Sequence, residues 1–275
     1  MTRSRGRGVG VTVALIALAA LFLLPFYLVL RNAFSSQIGL ASAHWQWWPD
    51  NLGLANLKAL FANHNVPIAR SLANSAIISV VQTVATVVIS AMAGYGLARI
   101  ENRLARLVLG LTLLTLMVPA AVTFIPSFVM VSSLGWISSF RGLIIPVLFS
   151  AFATYLFRQF FLSFPHELEE AAAIDGAGYW RTFWRVVMPN TLGVCAAVGT
   201  ITFIGAWNAF LWPLLIGQDE GYRTIQVTLS QYLTSQRINL PQLFTGAMVA
   251  ILPVLLVFVF LQRYLVQGVE RSGID

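Results

Sequence analysis

Apolar residues run through this chain in long blocks, separated by short polar intervals. A helix rising about 1.5 Å per residue needs roughly 20 apolar residues to cross about 30 Å of hydrocarbon. Stretches of that kind lie near 9–30, 71–98, 105–131, 142–161, 191–216 and 243–266. They predict an all-α membrane protein with six transmembrane helices. Pro119 and Pro126 interrupt the third stretch. Such breaks are tolerated in a bilayer only where neighbouring protein or water satisfies the freed backbone groups. Two polar intervals are long: residues 163–189 between the fourth and fifth stretches, and 217–242 between the fifth and sixth.

Composition sharpens this reading. Hydrophobic residues make up 58% of 275 and charged residues 10%, against about 25% charged in a soluble domain. The net charge of +7 invites a nucleic-acid partner, but its distribution points to topology. With the N-terminus in the cytoplasm, eleven of the seventeen basic residues fall inside and six outside, the bias that orients membrane proteins. Both termini and the 163–189 insert are then cytoplasmic. The first apolar stretch follows Arg3, Arg5 and Arg7 like a secretory signal, with Ala41-Ser42-Ala43 as a cleavage-like site. Its apolar core exceeds the usual 7–15 residues of a signal, so an uncleaved anchor is expected. The loop around His44, Trp45, Trp47 and Trp48 reads as an interfacial anchor.

Several chemistries find no support. None of the ten acidic residues lies inside a predicted span, whereas ion-coupled carriers often place a costly charge there. Lys58 is the sole lysine, and no G-x-x-x-x-G-K-[ST] phosphate loop is present. Gly94-Tyr95-Gly96 falls within a helix and reads as helix packing. His44, His64 and His166 lack metal-ligand spacing. Cys195 is the only cysteine, so no disulfide or thiolate cluster is available. Neither a catalytic residue nor a metal ligand is assigned, and energy for transport would have to come from a partner.

The insert holds four of the ten acids: Glu167, Glu169, Glu170 and Asp175. Ser163 and Pro165 suit a helix start, and the three glutamates sit near its positive end. Ala171, Ala172 and Ala173 favour helix. Asp175-Gly176 supplies a stop, with glycine able to take a left-handed turn. A second helix is expected from about Tyr179 to Met188, ending at Pro189.

This insert resembles the EAA loop of permease subunits from bacterial binding-protein-dependent ABC importers. That loop carries Glu-Ala-Ala, three residues, Gly, nine residues, then Ile-x-Leu-Pro; here stand Glu170-Ala171-Ala172, Gly176 and Val186-Val187-Met188-Pro189 at the same spacing. The resemblance extends to the second permease subunit of carbohydrate importers of the maltose or glycerol-phosphate type. It is supported by Gly94-Tyr95-Gly96-Leu97-Ala98-Arg99, by 206–213 (AWNAFLWP) and by 262–268 (QRYLVQG). It implies a type I ABC importer permease (MetI-like) fold with cytoplasmic coupling helices in a bacterial plasma membrane. The implied partners are a second homologous permease subunit, an ATPase subunit dimer, an extracytoplasmic substrate-binding protein and the lipid bilayer, with no nucleic acid. This chain would hold no cofactor, ATP and Mg being bound by the ATPase subunits. Glu170, Ala171, Ala172, Asp175, Gly176 and Pro189 would couple to that ATPase, with the first helix docking into a groove on it. The tail 270–275 departs from the family's usual ending.

For the substrate path the residues leave alternatives open. Asn208 and Trp212 are four apart and share a helix face, with Trp207 and Phe210 on another. Carboxamides pair with hydroxyls and aromatic faces stack on sugars, yet a membrane-boundary aromatic belt or helix packing accounts for the tryptophans at least as well. Gln82 and Thr83 are further candidates, though threonine hydroxyls often bond to their own helix. The 217–242 loop is expected to reach toward the binding protein. The reading is therefore half of the translocation path for a sugar or sugar-like polyol phosphate, with an amino-acid or peptide permease and a self-contained carrier or channel as rivals.

Overall fold

A computed structural model describes residues 3–234 and 237–270. Helices α1 (Arg3–Ala33), α2 (Gln37–Ala41), α3 (Ala55–Ala62) and α4 (Ile68–Arg99) are followed by α5 (Arg103–Met117), α6 (Ala120–Ser133) and α7 (Phe140–Ile144). Then come α8 (Ala151–Leu162), α9 (His166–Ile174), α10 (Tyr179–Thr182), α11 (Leu192–Trp207), α12 (Leu211–Ile216), α13 (Ile225–Ser230) and α14 (Leu240–Glu270). A small antiparallel hairpin pairs β1 (Leu233–Thr234) with β2 (Arg237–Ile238), Leu233 opposite Ile238. Of the atypical tail 270–275, residues 271–275 lie outside the described residues.

Among the described residues four helical stretches are long and apolar enough to cross a membrane: Gly10–Ala33, Ile68–Arg99, Tyr179–Trp207 and Leu240–Tyr264. Two bent pairs bring the number to six if each pair is one span. Five of the six predicted apolar stretches correspond to a helix or a bent pair, and the fifth stretch overlaps a helix with different ends.

The bends have identifiable causes. Between α5 and α6 the chain turns by 103°. Val118 is extended there (φ −84°, ψ 117°) and Pro119 takes the N-cap position of α6, as expected of a residue before proline and of proline itself. Pro126, by contrast, sits inside α6 without ending it. The fourth span bends by 45° between Phe140–Val147 and α8. Thr86 of α4 donates to the Leu148 carbonyl at 3.0 Å, and the Ser150 hydroxyl accepts from the Ala153 amide at 3.2 Å. A neighbouring helix thus satisfies a carbonyl freed at the break, which a bilayer requires.

The fifth span corrects the sequence reading at both ends. Its helix starts at Tyr179 and passes through a π-helical turn, Phe183–Val187, and a 3-10 turn, Met188–Thr191, into α11. Pro189 does not end it. A π turn loosens the carbonyl ladder, and Asn190 Nδ2 donates to Val186 O at 2.7 Å while Thr191 Oγ1 donates to Met188 O at 2.8 Å. The span then stops at Trp207, well before position 216, and α12 is a separate short helix.

The chain packs as two units. The smaller comprises the residues up to Ala69 together with Thr228–Leu252. In it Asn56 Nδ2 and Thr245 Oγ1 both donate to Ala33 O, at 2.9 and 3.0 Å, satisfying a carbonyl at the end of α1. Trp45, Trp47 and Trp48 are exposed, and the Arg31 guanidinium lies 5.4 Å from the Trp45 ring centroid. Asp50 accepts from the Ser36 hydroxyl and amide, and these bonds hold its carboxyl below the usual carboxylate range.

The larger unit comprises Arg70–Val227 and the residues from Pro253 onward. Its main core joins Phe157 and Phe161 of α8, Tyr95 of α4, and Phe183 and Val187 of the π turn. Gly94 makes this possible. A Cβ there would lie 2.7 Å from Phe157 Cβ and 2.9 Å from the Arg158 amide nitrogen, closer than atoms tolerate. A second core joins Ile78, Val131, Leu143, Ile144 and Ile216.

The 217–242 interval is not an open polar loop. Residues up to Val227 pack within the larger unit, where Ile225 and Val227 are buried. Asn74 Nδ2 donates to Gly221 O and Arg223 O at 2.9 and 3.0 Å, and the Ile225 amide donates to Ser75 Oγ at 2.8 Å. From Thr228 the chain belongs to the smaller unit, where Leu229 and Tyr232 are buried.

Candidate functional site

The 163–189 insert folds as a helix, a tight turn and a second helix continuous with a membrane span. Ser163 does not cap α9: its hydroxyl donates back to Phe160 O at 2.8 Å, closing α8, while Pro165 occupies the N-cap position. Glu167 and Glu169 lie in the first turn of α9, where negative charge is favoured by the helix dipole. The helix ends at Gly176, whose φ of +77° is left-handed. The Ala177 amide donates to Ala172 O at 2.9 Å and the Gly176 amide to Ala173 O at 3.0 Å, the paired bonds of a Schellman stop. Two residues later Gly178 starts α10.

Neighbouring acids in α9 have opposite environments. Glu169 faces the protein, where Arg99 Nη2 and Nε donate to its Oε1 at 2.6 and 2.9 Å. The Tyr95 hydroxyl donates to its Oε2 at 2.9 Å. Arg99 Nη2 also donates to Phe164 O at 3.2 Å. The Arg99 and Glu169 side chains are only 7% and 15% exposed. Glu170, Ala171 and Asp175 face outward, as do Ile174 at 87%, Tyr179 at 85% and Trp180. Ala172 is 9% exposed and packs against its own chain; it is not on the outward face on which its expected docking role depends. Pro189 is exposed within the 3-10 turn. The insert therefore exposes acids at Glu170 and Asp175 and large apolar side chains at Ile174, Tyr179 and Trp180, on an element tied by ion pair to α4.

The path candidates are placed less simply. Asn208 caps the end of α11, and Trp212 lies on α12, so they do not share a helix face. Trp212 Nε1 donates to Gly142 O at 3.1 Å and its ring meets Phe124 edge-on at 5.8 Å. Trp207 is 2% exposed and stacks on Phe203 at 5.8 Å. Gln82 and Thr83 are half-buried on α4, and a Cβ on Gly199 of α11 would lie 3.7 Å from Thr83 Cγ2. Asn208 is exposed and its Oδ1 accepts from Gln226 Nε2 at 3.1 Å. No signal in the sequence singled out Gln226. Arg99 and Tyr95 stand in the sequence only as the end of a span, and no spacing pairs them with an acid some 70 residues on.

The chain belongs to the family of inner membrane components of binding-protein-dependent transport systems, whose match spans residues 86–271. It is 35% identical to a lactose transport system permease of Rhizobium radiobacter over 217 residues, 79% of each chain. It is 35% identical to an sn-glycerol-3-phosphate transport system permease of Yersinia enterocolitica over 212 residues, covering 76% of this chain and 75% of the other. An arabinooligosaccharides transport system permease of Bacillus subtilis matches at 29% identity over 97% of this chain and 95% of its own length. In fold the chain is similar to a chain of a bacterial ABC transporter involved in import of the acidic polysaccharide alginate, with TM-score 0.83 at 22% identity, over 96% of this chain and 98% of that one.

Proposed function

We propose that the chain forms half of the translocation path of an ATP-driven importer for a sugar or a sugar-like polyol phosphate. A second homologous permease completes the path, an extracytoplasmic binding protein delivers the substrate, and two ATPase subunits drive the cycle. Coupling runs through the outward face of 163–189. The single observation that carries this reading is the outward display of Glu170, Ile174, Tyr179 and Trp180 on an element whose other face is locked to the spans. Large apolar side chains held in the open beside acids mark an interaction surface, and the acids suit basic groups on a nucleotide-binding partner.

The substrate class is supported by the names of the relatives: lactose, arabinooligosaccharides and sn-glycerol-3-phosphate. Exposed Asn208, with Gln226 beside it, offers carboxamide groups suited to hydroxyls. Both termini and the insert are placed on the cytoplasmic side, following the arginine bias. No step of the chemistry is assigned to this chain; ATP and Mg are held by the ATPase subunits.

Purification of the tagged chain in mild detergent tests the reading. Co-purification of an ATPase subunit, lost on Ile174→Glu and Trp180→Glu substitution, supports it. A chain that purifies without any ATPase contradicts it. Melting shifts of the cognate binding protein across neutral oligosaccharides and polyol phosphates then fix the substrate class.

A further inference from the structure

We propose that α4 is the strut that carries coupling motion across the membrane, pinned at one end by Arg99–Glu169 and at the other by Asn74 and Ser75. The proposal rests on the reading of the chain as an ATP-driven permease.

The first observation is the helix itself. Five of the six spans contain proline: Pro25 in the first, Pro119 and Pro126 in the third, Pro146 in the fourth, Pro189 in the fifth and Pro253 in the sixth. The third and fourth are bent, and the fifth carries a π turn and a 3-10 turn. Only α4, 32 residues long, has neither proline nor break among the described residues. Sharp kinks arise at proline, at glycine–serine pairs and at π turns. Helix α4 has glycines at 94 and 96 but no proline or π turn. Gly94 is packed closely against Phe157 and Arg158, so α4 absorbs a displacement by bending less readily than the broken spans. From Ser75 to Arg99 it extends about 36 Å at about 1.5 Å per residue, enough to cross the hydrocarbon.

The second observation is what holds its two ends. At the C-terminal end, both oxygens of Glu169 are held, Oε1 by two nitrogens of Arg99 and Oε2 by the Tyr95 hydroxyl. Arg99 also holds Phe164 O, so it grips the insert both before and within α9. Apolar contacts slide; a nearly buried two-point ion pair with a third bond to the same carboxylate does not. At the N-terminal end, Asn74 and Ser75, both buried, make three hydrogen bonds to the backbone of 221–225. That segment belongs with the 217–227 turn, whose Gln218, Asp219 and Glu220 are exposed at the far end of α4 from the insert. One stiff rod therefore joins the surface proposed to meet the ATPase to a surface on the opposite face. A push on α9 reaches 217–227 without crossing a hinge, and seating of a partner on 217–227 reaches α9 by the same route.

The test uses the reconstituted complex: this chain, its partner permease, the ATPase subunits and the substrate-loaded binding protein. Three quantities are read for each variant: ATPase subunit retained, hydrolysis without binding protein, and the fold stimulation of hydrolysis by binding protein. Glu169→Gln and Asn74→Ala are each expected to cut stimulation at least fivefold, with retention and unstimulated hydrolysis within twofold of the parent. The double variant is expected to be no worse than the more severe single one, since both break one route. Tyr95→Phe, which removes one bond only, is expected to give a smaller loss, and the reversed pair R99E/E169R to restore part of the stimulation. Full stimulation in either single variant overturns the proposal, as do multiplied losses in the double variant. Loss of stimulation that always accompanies loss of retention overturns it too, because that is the mark of a merely structural role. Failure of the parent complex to retain an ATPase strikes instead at the functional reading beneath it.

Discussion

Glu169 and Glu170 are adjacent and chemically alike, and the helix gives them different work. A step of one residue turns a helix by about 100°, which sends Glu169 into the Arg99–Tyr95 node and Glu170 to the open surface. Gly176 is a second constrained position, because its φ of +77° lies in the left-handed region that glycine, and after it asparagine, adopts. A β-branched residue there strains the backbone by about 1–2 kcal/mol, whereas asparagine tolerates the same turn. Gly176→Val is therefore expected to lower the melting temperature and uptake together, and Gly176→Asn to leave both near the parent level. At Gly94 the limit is space rather than φ. Gly94→Ala forces apart α4 and α8 where Phe157 Cβ stands 2.7 Å from the added carbon, at a cost of roughly 1–3 kcal/mol for overpacking. Denaturant unfolding in detergent measures that directly.

At the scale of elements, the pattern of apolar blocks located every span, because backbone bonds unsatisfied in lipid leave helix as the only option for such blocks. Pro119 broke its helix as read, and Gly176 took its left-handed turn. What the pattern could not reveal was how tertiary partners rescue irregular backbone. Pro189 reads as a stop, but Asn190 Nδ2 satisfies the Val186 carbonyl, to which the proline nitrogen cannot donate, and the helix runs on. Asn208 and Trp212 read as one face because nothing local announces that α11 ends at Trp207. The interval 217–242 reads as polar, yet Ile225 and Val227 are buried on contacts distant in sequence. The Arg99–Glu169 pair, 70 residues apart, was likewise out of reach of spacing rules. Thr86 shows the same tertiary rescue at the bend before α8. Thr86→Val leaves the Leu148 carbonyl without that donor, and the expected loss is about 1–3 kcal/mol for an orphaned buried group, read as a lower unfolding midpoint.

The whole molecule presents two surfaces with distinct chemistry at the ends of α4: the acidic and aromatic insert at one, the 217–227 turn at the other. In a Cys195→Ala background, a cysteine placed at Ile174 is expected to react with a membrane-impermeant maleimide only from the cytoplasmic side, and one at Gln218 only from the opposite side. Equal reaction of both from one side contradicts the proposed topology. The central claim is that this chain moves substrate only when a separate ATPase acts on the insert. Its most direct measurement is uptake of labelled substrate into proteoliposomes holding the purified complex, with binding protein on one side and ATP on the other. Uptake is expected to need ATP, to stop in the Ile174→Glu, Trp180→Glu variant, and to be absent when this chain and its partner permease are reconstituted alone. Uptake by the permease chains without ATPase or ATP would contradict that claim.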